Sequence, residues 1–250
     1  MRTVLFAHGP VGYQIAKFFL KEHRNDLRMI VTVDQNDIYE LGVENGMRVF
    51  LYEEAEQYLL DGDFVFDLGF LAWWPKILKS PLLNKAQLGF INTHPSLLPY
   101  RRGKFPAFWA IYEGTPYGVS LHMVDEGIDT GALVATKKIP YNLCDTGRTL
   151  YDKSLKAIVD LVKETYPVIG KNVRELSVKQ PAEVGSFHYA KDIEPLTRID
   201  LNKEYLASEL ILLMRARNFG EKFPACSIDV DGEIYYVRLS ITKALGQNDI

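Results

Sequence analysis

Residues 3–7, TVLFA, form an unbroken apolar run that stops at His8-Gly9-Pro10-Val11-Gly12, after which Val11, Ile15, Phe18 and Phe19 recur at helical spacing. A short apolar segment, a glycine-bearing turn and an amphipathic stretch predict strand, turn, helix. The alternation continues down the chain. Residues 29–33 form a second apolar run ending at Asp34, residues 53–60 have a helical pattern, residues 64–71 are strand-like, and residues 89–93 form another strand stopped by Pro95. Strands alternating with helices predict a mostly parallel sheet with helices on its faces.

The pattern then changes. Residues 117–124 and 133–139 are two strand-like runs joined by a short glycine-containing loop. Asp145 or Thr146 is placed to cap a long helix in which Tyr151, Leu155, Ile158 and Val162 share one face. Residues 171–186 are polar with a proline and read as a linker. A helix over 203–217 and a hairpin of 226–230 with 233–241, turned at Asp231-Gly232, close the sequence. The expected organisation is α/β: a Rossmann-like, mostly parallel sheet in residues 1–180, and a small C-terminal module of a helix plus a β-hairpin in residues 181–250.

Composition removes several function classes. Hydrophobic residues are 47% of the chain, which excludes wholesale disorder. The 29 Lys plus Arg against 32 Asp plus Glu leave a net charge of −3, which gives no general affinity for nucleic acid or acidic membranes. The two cysteines, Cys144 and Cys226, are far apart and form no CxxC pair, so neither a disulfide scaffold nor a thiolate zinc site is expected. No stretch approaches the roughly 20 apolar residues of a membrane span. The N-terminal apolar run is too short for a signal peptide, so a cytoplasmic protein is expected. The first turn lacks the GxGxxG spacing that cradles a pyrophosphate, and its proline removes a backbone donor; it reads as a plain strand-to-helix turn.

The chemistry is concentrated in two stretches. In residues 89–114, Asn92 and His94 are two apart on a strand and point to one face, at the carboxyl end where open α/β sheets bind ligands. An amide there can stabilise an oxyanion, and an imidazole can accept a proton near neutral pH. A histidine that merely caps a strand end is the alternative. In residues 118–134 an alternating strand runs into Asp125-Glu126-Gly127-Ile128-Asp129-Thr130-Gly131. One role for such a loop is to orient and charge-stabilise a histidine. A solvated turn is a second reading. A metal loop is a third, and a weak one: the EF-hand order and the HExxH motif are absent, and no metal is expected.

INTHPSLLP, RGKFPAFWAI and HMVDEGIDTG, in that order, resemble the folate-dependent formyltransferases, a family that includes glycinamide ribonucleotide, methionyl-tRNA and nucleotide-sugar amine formyltransferases. The resemblance covers residues 3–170 and, more weakly, the tail. It implies the formyltransferase fold, with Asn92, His94 and Asp129 matching the catalytic triad and N10-formyltetrahydrofolate as co-substrate. The run Leu68-Gly69-Phe70-Leu71-Ala72-Trp73-Trp74 stands where that family lines its pterin pocket, and Ile128 would face the same pocket. Within the family the chain looks most like enzymes that formylate amino sugars on a nucleoside diphosphate, of the dTDP-4-amino-4,6-dideoxyglucose type in surface polysaccharide synthesis. Those typically have asparagine, or a similar residue, where Arg101 stands. MRARNF and FPAC resemble the family's C-terminal module, abbreviated here. Residues 171–250 carry 11 basic and 12 acidic residues, a balance of −1, which does little to neutralise RNA phosphates.

A nucleoside diphosphate asks for cations and for aromatic or apolar surface. Arg102, Lys104, Tyr189, Arg215 and Arg217 are the candidates. Trp73 and Trp74 are read as pocket walls or core, Phe108 and Trp109 as core, and His8, His23, His122 and His188 as structural. A homodimer is expected through the edge of the terminal hairpin. Three alternatives stay open: a methionyl-tRNA formyltransferase with a trimmed tail, a folate hydrolase, and a non-catalytic nucleotide-sugar sensor.

Overall fold

The structure is a computed structural model that describes residues 1–181 and 184–244. β1 (Thr3–Ala7), α1 (Gly9–Glu22), β2 (Leu27–Thr32), α2 (Asp37–Glu44), β3 (Val49–Leu51), α3 (Tyr52–Asp61), β4 (Leu68–Ala72), the one-turn α4 (Ser80–Leu83) and β5 (Phe90–His94) alternate through the first part. A two-residue β6 (Arg102–Gly103), α5 (Pro106–Tyr112), β7 (Tyr117–Met123), β8 (Leu133–Ile139), the long α6 (Gly147–Ile169) and a short α7 (Val173–Leu176) follow. β9 (Phe187–His188), α8 (Ile193–Thr197), α9 (Ala207–Arg217) and the hairpin of β10 (Cys226–Val230) with β11 (Glu233–Val237) complete the fold.

One sheet carries the order β3-β2-β1-β4-β5-β7-β8. β1 to β5 are parallel, and β7 and β8 are added antiparallel at one side. The expected mostly parallel α/β architecture is therefore present, with the small antiparallel hairpin after it. β1 and β4 are buried at every residue because helices cover both faces, which is why they read as continuous apolar runs. On one face Phe19 of α1 and Phe70 of β4 pack around Tyr166 of α6. On the other, Phe6, Phe66 and Phe90 pack with Leu59 of α3. The first turn needs its glycines: Gly9 has φ +61°, and a Cβ on Gly12 would stand 3.0 Å from the backbones of Ala7 and Ala72. The expected cap is Thr146, whose hydroxyl accepts the Thr149 N–H while Thr149 returns the bond.

Several bounds differ from the sequence reading. The strand expected over 64–71 is Leu68–Ala72, because the Asp67 carboxylate turns aside to take the Arg2 backbone N–H and guanidinium. The helix expected from 203 begins at Ala207; Asp200 N–H donates to the Tyr205 hydroxyl and holds the preceding residues in a turn. The last strand ends at Val237, short of 241. The described residues of the expected linker, 171–181 and 184–186, are docked on the rest of the protein. They hold α7, a two-bond bridge between Val178 and Leu133, and Ser186, whose carbonyl takes the Arg102 N–H. β9 pairs with β6, α9 packs on α5 and α6, and Leu213, Ala216 and Cys226 share the core of the first part. Among the described residues no helix is long and apolar enough to cross a membrane.

Candidate active site

β5 delivers Asn92 and His94 to one face at its carboxyl end, and antiparallel β7 sets His122 opposite Asn92 and Ser120 opposite His94. Thr93 faces the other way, where its hydroxyl takes the Trp73 N–H at 2.8 Å and donates to the Leu71 carbonyl at 3.1 Å. This ties the end of β4 to the end of β5. The acidic loop after β7 then brings Asp129 back. His94 Nδ1 lies 3.4 Å from Asp129 Oδ1, and His94 Nε2 lies 3.3 Å from the carbonyl oxygen of Arg101. Both partners are acceptors, so both ring N–H groups are matched together only in the imidazolium. Asp129 Oδ2 accepts the Gly103 N–H at 2.9 Å.

His122 joins the group, and sequence reasoning had left it structural. Its Nδ1 is 2.8 Å from the Met123 carbonyl, which places the proton on Nδ1. Nε2 then accepts from Asn92 Nδ2 at 3.2 Å, with Asp129 Oδ1 at 3.5 Å. One amide N–H of Asn92 is thereby fixed, and the second stays available for an oxyanion. Burial pushes the proton affinity of His94 down; Asp129 opposes this and His122 adds to it, so the ring rests as a neutral base. Burial alone would raise the Asp129 carboxyl. Its neighbours His94 and His122 and the Gly103 N–H outweigh it and hold the group well below the usual carboxylate range.

Arg101 explains the loop that reaches His94. It is fully buried with φ +55°, and its guanidinium donates to the Pro116 carbonyl and the Thr115 hydroxyl, with Glu113 at 3.7 Å. A cation sealed under the loop turns the Arg101 carbonyl outward to His94. Glu113 also takes His188 Nε2 at 2.6 Å, and that imidazole lies flat on Trp109 with centroids 3.6 Å apart.

The other predicted positions separate. Phe70 is fully buried against Phe19 and Tyr166, and Leu71 and Ala72 are closed within the sheet, so their side chains leave no surface for a pterin; they are core. Trp73 is partly exposed at the strand end with φ +59°, beside Tyr151. Trp74 packs edge-on against Phe6 and Tyr52, and its buried Nε1 has no hydrogen-bond partner among the described residues. Ile128 is half exposed on the acidic loop. Lys104 and Tyr189 are exposed, and Tyr189 meets Phe187 edge-to-face at 4.7 Å. Arg102 is bound to Gln180, with Nε and Nη2 at 3.1 and 2.8 Å from Oε1. Two assignments are corrected. Arg215 is buried and spends its guanidinium on the carbonyls of Asn142 and Asp145, holding the turn before α6. Arg217 is largely covered and faces Glu194 at 3.9 Å within the C-terminal part. Both guanidinium groups are turned toward the protein's own acceptors. Gly103, His122, Gln180 and Phe187 were missed. Only the alternation around His122, next to the acidic loop, carried any signal.

A mostly parallel sheet brings an amide, an imidazole and a carboxylate together at the carboxyl end of one strand, in an α/β domain. The chain belongs to the formyltransferase family: the family model described as formyl transferase matches residues 52–165, and that of the N-formyltransferase dimerization C-terminal domain matches residues 192–243. A dTDP-4-amino-4,6-dideoxyglucose formyltransferase of Mycobacterium bovis is 29% identical over 149 residues, covering 60% of this chain and 63% of that protein. The matched part thus spans somewhat under two thirds of that relative's length. Among solved structures, a sugar N-formyltransferase from a Shewanella species superposes with a TM-score of 0.75 at 22% identity, over 98% of this chain and 100% of that one. An N-formyltransferase from Helicobacter canadensis, in complex with folinic acid and dTDP-3-aminofucose, gives 0.72 at 20% identity, over 93% and 85%. At these identities the structures speak for the fold alone.

Proposed function

We propose that the protein transfers a formyl group from N10-formyltetrahydrofolate to the primary amine of an amino sugar linked to a nucleoside diphosphate. The observation that carries the reading is the 3.4 Å approach of His94 to Asp129 beside the Asn92 amide. His94, neutral at rest, takes the proton of the attacking amine. The spare N–H of Asn92 donates to the oxygen on which negative charge develops. Asp129 holds the Nδ1 N–H of the imidazolium, and Nε2, 3.3 Å from the Arg101 carbonyl, carries the transferred proton and returns it to the departing nitrogen. A positioned base contributes roughly 10²- to 10⁴-fold, and an oxyanion donor roughly 10²- to 10³-fold; holding two substrates together supplies the rest.

The formyl donor is a substrate here, and its pterin fits the exposed apolar residues flanking the triad. Trp73 is tied through Thr93 to the strand of Asn92 and His94, and Ile128 precedes Asp129. The folinic acid and dTDP-3-aminofucose of the Helicobacter canadensis protein support the same two substrate classes. The base stacks on the exposed Phe187–Tyr189 pair. The diphosphate meets Lys104, whose N–H donates to the His188 carbonyl between those two aromatics. The 29% identical relative points to dTDP-4-amino-4,6-dideoxyglucose as the acceptor. The C-terminal family match and the exposed Ile234, Tyr235 and Tyr236 support a homodimer through the hairpin.

The test is a formyl-transfer assay with dTDP-4-amino-4,6-dideoxyglucose, its 3-amino isomer and charged initiator tRNA as parallel acceptors. A formamide formed on a nucleotide sugar is expected. Formylated tRNA without formylated sugar, formate release without acceptor, or nucleotide binding without turnover would each replace the proposal with one of the three alternatives.

A further inference from the structure

Asp129 sits at φ +55°, a left-handed conformation uncommon among non-glycine residues. On one side of the loop, Gly131 lies so close to β7 that a Cβ there would stand 1.7 Å from the Met123 carbonyl oxygen. On the other side stands Gln180, in the stretch that the sequence presents as a linker. Its Nε2 donates to the Asp129 carbonyl at 2.8 Å and to the Gly131 carbonyl at 2.7 Å. Its Oε1 accepts two N–H groups of Arg102. The hydrogen-bonding capacity of the amide is therefore full, and the cation decides its orientation: the oxygen must face Arg102, so the NH₂ must face the loop. Two residues earlier, the paired bonds between Val178 and Leu133 peg this segment to the start of β8. Arg102 and Gly103 thus act on Asp129 together. Gly103 donates to the carboxylate directly, and Arg102 works on the backbone through Gln180.

We propose that Gln180, oriented by Arg102, is a positioning residue that sets the Asp129 carboxylate against His94. This rests on the formyl-transfer reading for its effect on rate, but not for its effect on His94. Gln180→Glu is the sharpest variant, since it keeps the shape and the Arg102 contact but turns an oxygen on two carbonyls. Gln180→Ala, which removes the group without repulsion, is the second. Two quantities are measured: kcat and KM for the amine, and the NMR titration midpoint of the His94 imidazole, with Asp129→Asn as the reference for a His94 that has lost its carboxylate. Both variants are expected to move the midpoint in the direction of the Asp129→Asn protein. They are expected to lower kcat by about 10- to 100-fold, the scale of a small misplacement, with KM nearly unchanged. A wild-type midpoint in both variants overturns the proposal, even if kcat falls, because general loosening would give that result. If the wild type transfers no formyl group, the function assigned above fails, and the His94 midpoints still decide the role of Gln180.

Discussion

Two aspartates in this protein share one unusual backbone conformation and are held there by different means. Asp231 (φ +53°) turns the β10–β11 hairpin, and Asp129 (φ +55°) turns the loop between β7 and β8. The first turn is solved locally. Gly232 follows at φ +86°, its N–H donates to Asp229 two residues before the turn's aspartate, and the strands on either side pair in simple register. The second is solved from a distance, by Gly103, by Gln180, and by the close fit of Gly131 against Met123. A hairpin needs only to reverse the chain. The acidic loop also sets a carboxylate 3.4 Å from His94, and local turn chemistry does not fix that approach.

This contrast orders the expected effects of substitution. The largest is His94→Ala, which should lower kcat by about 10²- to 10⁴-fold while the far-UV spectrum and Tm stay near wild type. Wild-type turnover from that folded protein would break the assignment. Asp129→Asn comes next, with a pH signature. His94 is a base only when neutral, and burial holds its midpoint below the ordinary value of about 6.5. Activity limited by His94 therefore persists at pH 6.5 and fails as pH falls through the lowered midpoint. Removing the Asp129 charge should shift that midpoint lower still, and an upward shift would contradict the electrostatics.

Arg215→Met comes third and should act on stability, not chemistry. It leaves the buried carbonyls of Asn142 and Asp145 without their donor, at a cost of about 1–3 kcal/mol in denaturant unfolding, with the dissociation constant for nucleotide sugar unchanged. A weakened nucleotide affinity at full stability would restore it to the ligand. Tyr235→Glu, on the exposed face of the hairpin, should shift sedimentation toward monomer; an unaltered sedimentation coefficient would move the interface elsewhere. The smallest effect is expected at the local turn, where Asp231→Asn should change stability by less than about 0.5 kcal/mol. Placed beside Asp129→Asn, it measures how differently the two left-handed aspartates are used.

Much of the fold was legible because its signals are local. The run at residues 3–7 and the helix after it, the Thr146 cap and the Asp231-Gly232 turn each follow from residues a few positions apart. α2 and β3 passed unnoticed because residues 35–51 mix polar and apolar side chains with no sustained period. At the site, the same-face placement of Asn92 and His94 follows from strand alternation, and Asp129 joined them by resemblance. The error with Phe70 has a simple cause: position along a strand does not say which face a helix will cover, and α1 and α6 cover that one.

By itself, then, the sequence determined the alternating α/β order, the strand that presents an amide and an imidazole together, and the tight turns, since each depends on the intrinsic geometry of neighbouring residues. Only the tertiary structure decided that His122 stands across from Asn92, that Arg215 serves a turn, and that a glutamine about fifty residues beyond Asp129 grips its loop. Those facts depend on strand register and on which distant segments dock at an edge. Register and docking are set by the summed burial of the whole core, and no local pattern encodes that sum.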